Sequence, residues 1–235
     1  MNWSEVREET LEANRAVVEA GLVLLTWGNV SVRHVTEPVM AIKPSGVAYD
    51  ELTPESMVIV AIETGEVVDG ELRPSSDTAT HLELYRAFPS AGAVVHTHST
   101  HAVAFAQAHR DIPILGTTHA DHFRGAVPVT REMTPEEVAE DYEGNTGRVI
   151  VETFRTRGID AADVAGVLVA SHGPFAWGTS AAGAVENAIV LEECARMALA
   201  TSAINPSVSH APHHLTEKHF LRKHGSGAYY GQGAR

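Results

Sequence analysis

Apolar positions along the chain change their period several times, and each change marks an element. Residues 3–20, WSEVREETLEANRAVVEA, scatter apolar side chains among Glu, Ala and Arg and stop at Gly21, which predicts a helix. Short strand-like runs follow: VSVRH at 30–34, VMAIK at 39–43 and MVIVAIE at 57–63. The last two are joined by the turn-rich PSGVAYDELTPES, and ETGEVVDGEL reads as a hairpin tip. SSDTATHLELYRAF starts a helix, with Ser or Asp as its cap and Pro89 beyond its end. AGAVVHTHS is then the clearest strand, and the Ala-rich HAVAFAQAH a short helix. TPEE at 134–137 joins a Thr cap, a first-turn Pro and a Glu three residues on; its helix runs to about Arg157, with a break expected at Gly144–Gly147. GVLVASH at 166–172 is a second apolar strand, punctuated by Gly173–Pro174. Residues 180–203 form the longest helical stretch, and TEKHFLRKHG a last helix. Strands and helices alternate without a repeat or a long linker, so the pattern predicts one α/β domain over 1–235. Few strands in the second half argue against a regular doubly wound parallel sheet.

The two strongest strands both run into histidine. HTHSTH at 96–101 has three, but with 14 His in 235 residues a shuffle alone gives about one His-x-His pair. Position weighs more than spacing. In a strand, residues two apart share a face about 6.5–7 Å apart, so His96 and His98 point together and Thr97 away. Both could simply cap a strand end. His172, at the end of GVLVASH, adds a third imidazole at the same sheet edge, where an ordinary core does not want polar groups. Three neutral His on a divalent ion leave coordination positions open, as a catalytic Zn²⁺ site needs. Asp77 is either a fourth, carboxylate ligand or a helix cap, and His101 supports the site or faces solvent.

Composition narrows the classes. A formal charge of −13, from 30 acidic against 17 basic residues, argues against nucleic-acid binding. An anionic small molecule stays open, because backbone N–H groups and a helix N-terminus can hold phosphate. The single cysteine, Cys194, precludes an intrachain disulfide and fits a reducing, cytoplasmic setting. No apolar run approaches the roughly 18 residues of a membrane span, and MNWSEVREET lacks the pattern of a signal peptide.

The motifs TWGNVS, IKPSGVAYDELT, RPSSDTATHLELYRAFPS, VVHTHSTHA, GTTHADHFRG, GVLVASHGPFAWG and KHFLRKHGSGAYYGQ occur in one order across nearly the whole chain. In them the chain resembles the class II aldolase and epimerase family, and within it the L-ribulose-5-phosphate 4-epimerase branch. The resemblance implies a single-domain, three-layer αβα fold with a central, mostly antiparallel sheet. It implies a divalent ion, usually Zn²⁺ with Mn²⁺ or another ion possible, on His96, His98 and His172 with Asp77 beside or among the ligands. It implies a phosphate and substrate pocket from Gly28, Asn29, Lys43, Ser45, Gly46, Ser75 and Ser76, with Thr117 near. Asp121 and Tyr230 become the proton donor and acceptor. A homotetramer with sites at subunit interfaces is implied, Tyr230 and Thr117 reaching in from the adjacent chain. Read without the resemblance, Pro-Ser-Gly and Pro-Ser-Ser-Asp are ordinary turn and cap sequences, Asp121 is a turn carboxylate, and Tyr229 and Tyr230 are equivalent.

The chemistry implied is epimerisation at C4 of a phosphorylated ketopentose. C4 is not acidic, and no Gly-x-Gly-x-x-Gly nicotinamide fingerprint offers an oxidative route. Retro-aldol cleavage and re-addition solves the problem and needs two acid/base groups, one per face. The rivals are an aldolase of the L-fuculose-1-phosphate type, where Glu resembles the position of Asp77, a methylthioribulose-phosphate dehydratase, and a non-catalytic scaffold like the adducin head. The three histidines weigh against the last.

Overall fold

The computed structural model describes residues 3–229. Its elements in chain order are α1 (Ser4–Glu19), β1 (Gly28–Arg33), β2 (Val39–Ile42), β3 (Val58–Ala61), β4 (Val67–Asp69), α2 (Thr78–Ala87) and β5 (Ala93–Thr97). They continue with α3 (Thr100–Gln107), α4 (Thr117–Ala120), α5 (Pro135–Arg157), β6 (Gly166–Leu168), β7 (Pro174–Gly178), α6 (Ala181–Ile204) and α7 (His213–His224). The strands form one sheet in the order β4-β3-β2-β1-β5-β7-β6, and every neighbouring pair is antiparallel. Helices flank the sheet in a single domain: α1 and α6 pack together against β1, β5 and β7, and α2 packs on α5. No helix among the described residues is long and apolar enough to cross a membrane.

Strand alternation decides what the sheet shows to each layer. In the register Asn29 pairs with His96 and His96 with Phe175, while Ser31 pairs with Val94 and Val94 with Trp177. Residues two apart share a face, so all six point the same way. Ser31 meets His81 and Tyr85 of α2, and Trp177 stacks near Phe88 and Phe154, so this is the α2–α5 face. Asn14 of α1 binds the Val30 backbone from the other side. One end of the α2–α5 face thus carries His96 and Asn29 beside the start of α2.

Three expectations change. The strand expected over 166–172 stops at Leu168, and residues 169–173 turn, with Val169 N–H on Gly173 O and His172 N–H on Val169 O. Pro174, read as punctuation, instead opens β7; a proline is tolerated at a strand's first residue because no ladder donor is lost inside it. The break in α5 falls at Asp141 (φ −157°, ψ 73°) rather than at Gly144–Gly147. The Asp141 carboxylate accepts from Gly144 N–H and pairs with Arg148, which restarts the helix as a cap does. Gly147 serves close packing instead: a Cβ there would lie 2.5 Å from Glu83 Cβ on α2.

Candidate active site

His96, next to last in β5, is buried to 1% exposure and stacks on Phe175 with ring centroids 4.2 Å apart. Its Nδ1 lies 3.0 Å from Pro174 O. A carbonyl only accepts, so Nδ1 carries the hydrogen and Nε2 presents its lone pair. His98 follows β5 directly, and His172 comes from the turn after β6. One ring nitrogen from each of His96, His98 and His172 lies within 4.8 Å of the other two. A tetrahedral ion with bonds of about 2.0–2.1 Å needs its donors about 3.3 Å apart, so small side-chain rotations close this cluster on a divalent cation. Burial, then repulsion from His96 and His98, pushes the His172 pKa down to about 3, and burial likewise lowers His98. Both are neutral at pH 7, the state a metal ligand requires.

Asp77 occupies the cap position of α2 but makes no side-chain capping hydrogen bond. Its Oδ2 accepts from Asn29 Nδ2 at 2.6 Å instead. Burial opposes the charge, yet the imidazoles of His96 and His81 and the Asn29 amide hold the carboxyl below its usual range. Asp77 therefore stands beside the three-histidine cluster as an ionised neighbour. Asn29 Oδ1 and His81 Nε2 are buried without a partner among the described residues. Of the two, Asn29 lines the cleft, and an orphaned polar atom there marks a place for a ligand group.

Asn29, Asp77, His96, His98 and His172 line a cavity of about 400 Å³ with Thr26, Trp27, Gly28, Lys43, Pro44, Ser45, Gly46, Ser75, Ser76, Tyr142 and Glu143. Lys43 is 2% exposed and has no carboxylate partner among the described residues; Nζ donates to Val47 O at 2.7 Å and Pro44 O at 3.2 Å and sits 4.8 Å over the Tyr49 ring. Desolvation lowers its pKa. A buried ammonium using two of its three donors on carbonyls is arranged for an anion. Tyr49 also donates from Oη to Gly28 O at 2.8 Å, which ties the lysine to the Gly28–Asn29 strand start. Gly28 has φ 130°, and a Cβ there would meet His96 O at 2.8 Å, so only glycine lets the two strands close at the site.

Asp121 lies elsewhere. It ends the four-residue α4, and neither it nor Thr117 lines the cavity. Its carboxylate, 14% exposed, accepts from His219 Nδ1 and Arg222 Nε at 3.0 Å each and from Arg222 Nη2 at 2.7 Å. Burial works against its charge, but Arg222 and then His219 outweigh it and hold the pKa below the usual carboxylate range. Tyr230 falls outside the described residues; Tyr229 is exposed, with its N–H on Arg222 O. His101 is also set apart, its Nδ1 2.7 Å from Glu192 of α6.

Residues 8–199 match the family described as Class II Aldolase and Adducin N-terminal domain. The chain belongs to this family. Among solved structures it is similar to an L-fuculose 1-phosphate aldolase, at 26% identity and a TM-score of 0.78 over 93% of this chain and 96% of that one. It is similar to YgbL from Escherichia coli, titled a putative aldolase/epimerase/decarboxylase, at 25% identity and a TM-score of 0.71 over 92% and 97%. It is also similar to the L-fuculose-1-phosphate aldolase from Thermus thermophilus, at 25% identity and a TM-score of 0.66 over 88% and 98%. Within this class II aldolase domain, Tyr142 and Glu143 line the cavity and His219 and Arg222 hold Asp121, four residues the sequence did not single out. The basic run KHFLRKHG was the signal for the last two. For Tyr142 and Glu143 none existed, because the kink at Asp141 is what turns them to the cavity.

Proposed function

We propose that this class II aldolase family protein is a divalent-metal-dependent L-ribulose-5-phosphate 4-epimerase, acting by retro-aldol cleavage and re-addition. The observation that supports this most is the presence of two ionised carboxylates in separate places, Asp77 beside the histidine cluster and Asp121 in the Arg222–His219 grip. In the sequence resemblance, Asp rather than Glu at position 77 and Asp at 121 go with the epimerase branch. A divalent ion on His96, His98 and His172, with Asp77 near, would supply positive charge opposite the substrate oxygens that become negative when C3–C4 breaks.

The chain's own residues do the rest. Lys43, Gly28, Asn29, Ser45, Gly46, Ser75 and Ser76 hold the phosphate. One member of the Asp121–Tyr230 pair takes the C4 hydroxyl proton; the C–O electrons form the aldehyde carbonyl as the C3–C4 pair moves into the enediolate. After the aldehyde turns, the enediolate adds to its other face and the second member returns the proton. Because Asp121 and Thr117 do not line the cavity of their own chain, a homotetramer that sets a neighbour's α4, α7 and tail against it completes the site. Leu24, Leu25 and Trp27, 64, 77 and 53% exposed beside the cavity, give such a contact its apolar surface. The buried, unpaired Cys194 agrees with a cytoplasmic enzyme.

The aldolase names of the similar structures favour a second reading, cleavage of L-fuculose 1-phosphate with release of the aldehyde. Product NMR on both substrates separates the two. Conversion of L-ribulose 5-phosphate to D-xylulose 5-phosphate is expected, lost on chelation and restored by Zn²⁺ or Mn²⁺. Fuculose-phosphate cleavage with no epimerisation replaces the epimerase by the aldolase. Deuterium appearing at C4 in D₂O rules out the retro-aldol route. Mixing inactive His96→Ala and Asp121→Asn subunits should restore activity if sites are shared between chains.

A further inference from the structure

Among the described residues, three non-glycines have positive φ: Leu25 at 54°, His109 at 52° and Ser171 at 59°. Side chains disfavour this left-handed region, so such residues persist only where their surroundings hold them. The last two hold each other. Ser171 Oγ and His109 Nε2 are 2.8 Å apart although 62 positions separate them in sequence. Ser171 N–H also donates to Ala106 O at 3.1 Å. Glu132 lies 3.6 Å from the same His109 nitrogen.

The position of this contact gives it meaning. Ser171 immediately precedes His172, and its partners Ala106 and His109 sit at the end of α3. The start of α3, at Thr100, comes two residues after His98. One short helix, about 12 Å long, therefore runs from just beyond His98 to the residues that hold the His172 turn. Both ends are fixed. Glu192 accepts from His101 N–H and Ala102 N–H at 2.9 Å each, and Ala170 N–H on the far side donates to Thr130 Oγ1 at 3.0 Å. After His172 the chain is equally confined, since a Cβ on Gly173 would lie 2.9 Å from Thr97 O.

We propose that His109 and Ser171 are positioning residues for the metal centre. Their contact keeps Ser171 left-handed and so sets His172 against His98 across α3. The proposal rests on the three-histidine cluster being a metal centre. Neither residue lines the cavity; if Ser171 relaxed to an extended conformation, the next side chain would swing away from the cluster.

Glycine separates this role from plain stability, because it takes φ near 60° without help. Metal-free protein is titrated with Co²⁺, following affinity and the visible absorption band that reports ligand geometry, with thermal melting alongside. His109→Ala and Ser171→Ala are expected to weaken Co²⁺ binding about 10–100-fold, the range for lost outer-shell partners, and to change the band. Ser171→Gly is expected to bind near the wild-type level, and adding it to His109→Ala restores binding and band. Wild-type affinity and spectrum in His109→Ala overturn the proposal, as does a Ser171→Gly variant that fails to restore His109→Ala. If Ser171→Ala does not fold, His109→Ala, with a side chain 43% exposed, decides alone. Wild-type protein that takes up no Co²⁺ defeats the metal reading itself, a different failure from indifferent variants.

Discussion

The histidine cavity and the Asp121 cluster both fix protonation states, by opposite means. The cavity is built on sheet backbone and the head of α2, and desolvation keeps His98 and His172 neutral there. Asp121 sits between the short α4 and α7, near the surface, and an arginine and a histidine keep it charged. In the cavity, burial first and repulsion between the imidazoles second leave the rings uncharged. At Asp121, Arg222 and His219 hold the carboxylate in place and lower its pKa further. The first region brings its three histidines together within one chain; Asp121 does not line that cavity.

The sharpest break of this contrast is expected from His96→Ala, which should empty the metal centre and lower turnover by about a thousandfold or more, since the ion's contribution is worth several kcal/mol. Metal analysis with a turnover assay checks it; a fully metallated, active variant would sink the cluster as a site. Asp121→Asn should lower turnover by about 10²–10⁴, the usual reach of acid–base catalysis, with metal content unchanged. Loss of metal in that variant would merge the two regions, and near-normal turnover would remove Asp121 from the reaction.

Acid titration tests the difference in stability. Burial pushes His81 down to about 3 and His119 to about 4. Unfolded histidines bind protons below about pH 6.5 while these two refuse them, so stability should fall by up to about 1.4 kcal/mol per pH unit per group from there down to those values. Urea midpoints at pH 7 and pH 5 read this directly, and equal midpoints contradict it. Asp121 behaves differently. Its depressed pKa contributes stability that is present above about pH 3.9 and lost as pH falls through the folded value, so any stability gap to Asp121→Asn should close only in strong acid. The smallest effect is expected from Tyr49→Phe, which loses the bond to Gly28 O and costs about 0.5–1.5 kcal/mol, raising KM more than it lowers kcat. An unchanged KM would mean that Tyr49 does not position the Gly28–Lys43 pair.

Much of this was legible in the residues because local rules dominate there. Strand alternation brought His96 and His98 together, although β5 ends at Thr97 and His98 follows it, and the Thr-Pro-Glu-Glu cap at 134–137 fixed the start of α5. His172 does meet His96 and His98, but not from the end of a strand as expected: β6 ends at Leu168, and the turn with left-handed Ser171 carries the imidazole to them. The cap-or-ligand question at Asp77 stayed open in sequence because both roles use the same residue at the same offset. The Asn29 amide, 48 positions away, resolved it against the cap.

By itself, the sequence determined which residue types the site can draw on, the antiparallel family fold through its ordered motifs, and the same-face pair of histidines. These depend on spacing within one element, where geometry is set by the backbone period. The tertiary structure decided the kink that brings Tyr142 and Glu143 to the cavity, the Arg222–His219 grip on Asp121, and the α3 link between His98 and His172. Each joins segments tens of residues apart, and their meeting depends on how helices pack on the sheet, which no local pattern encodes.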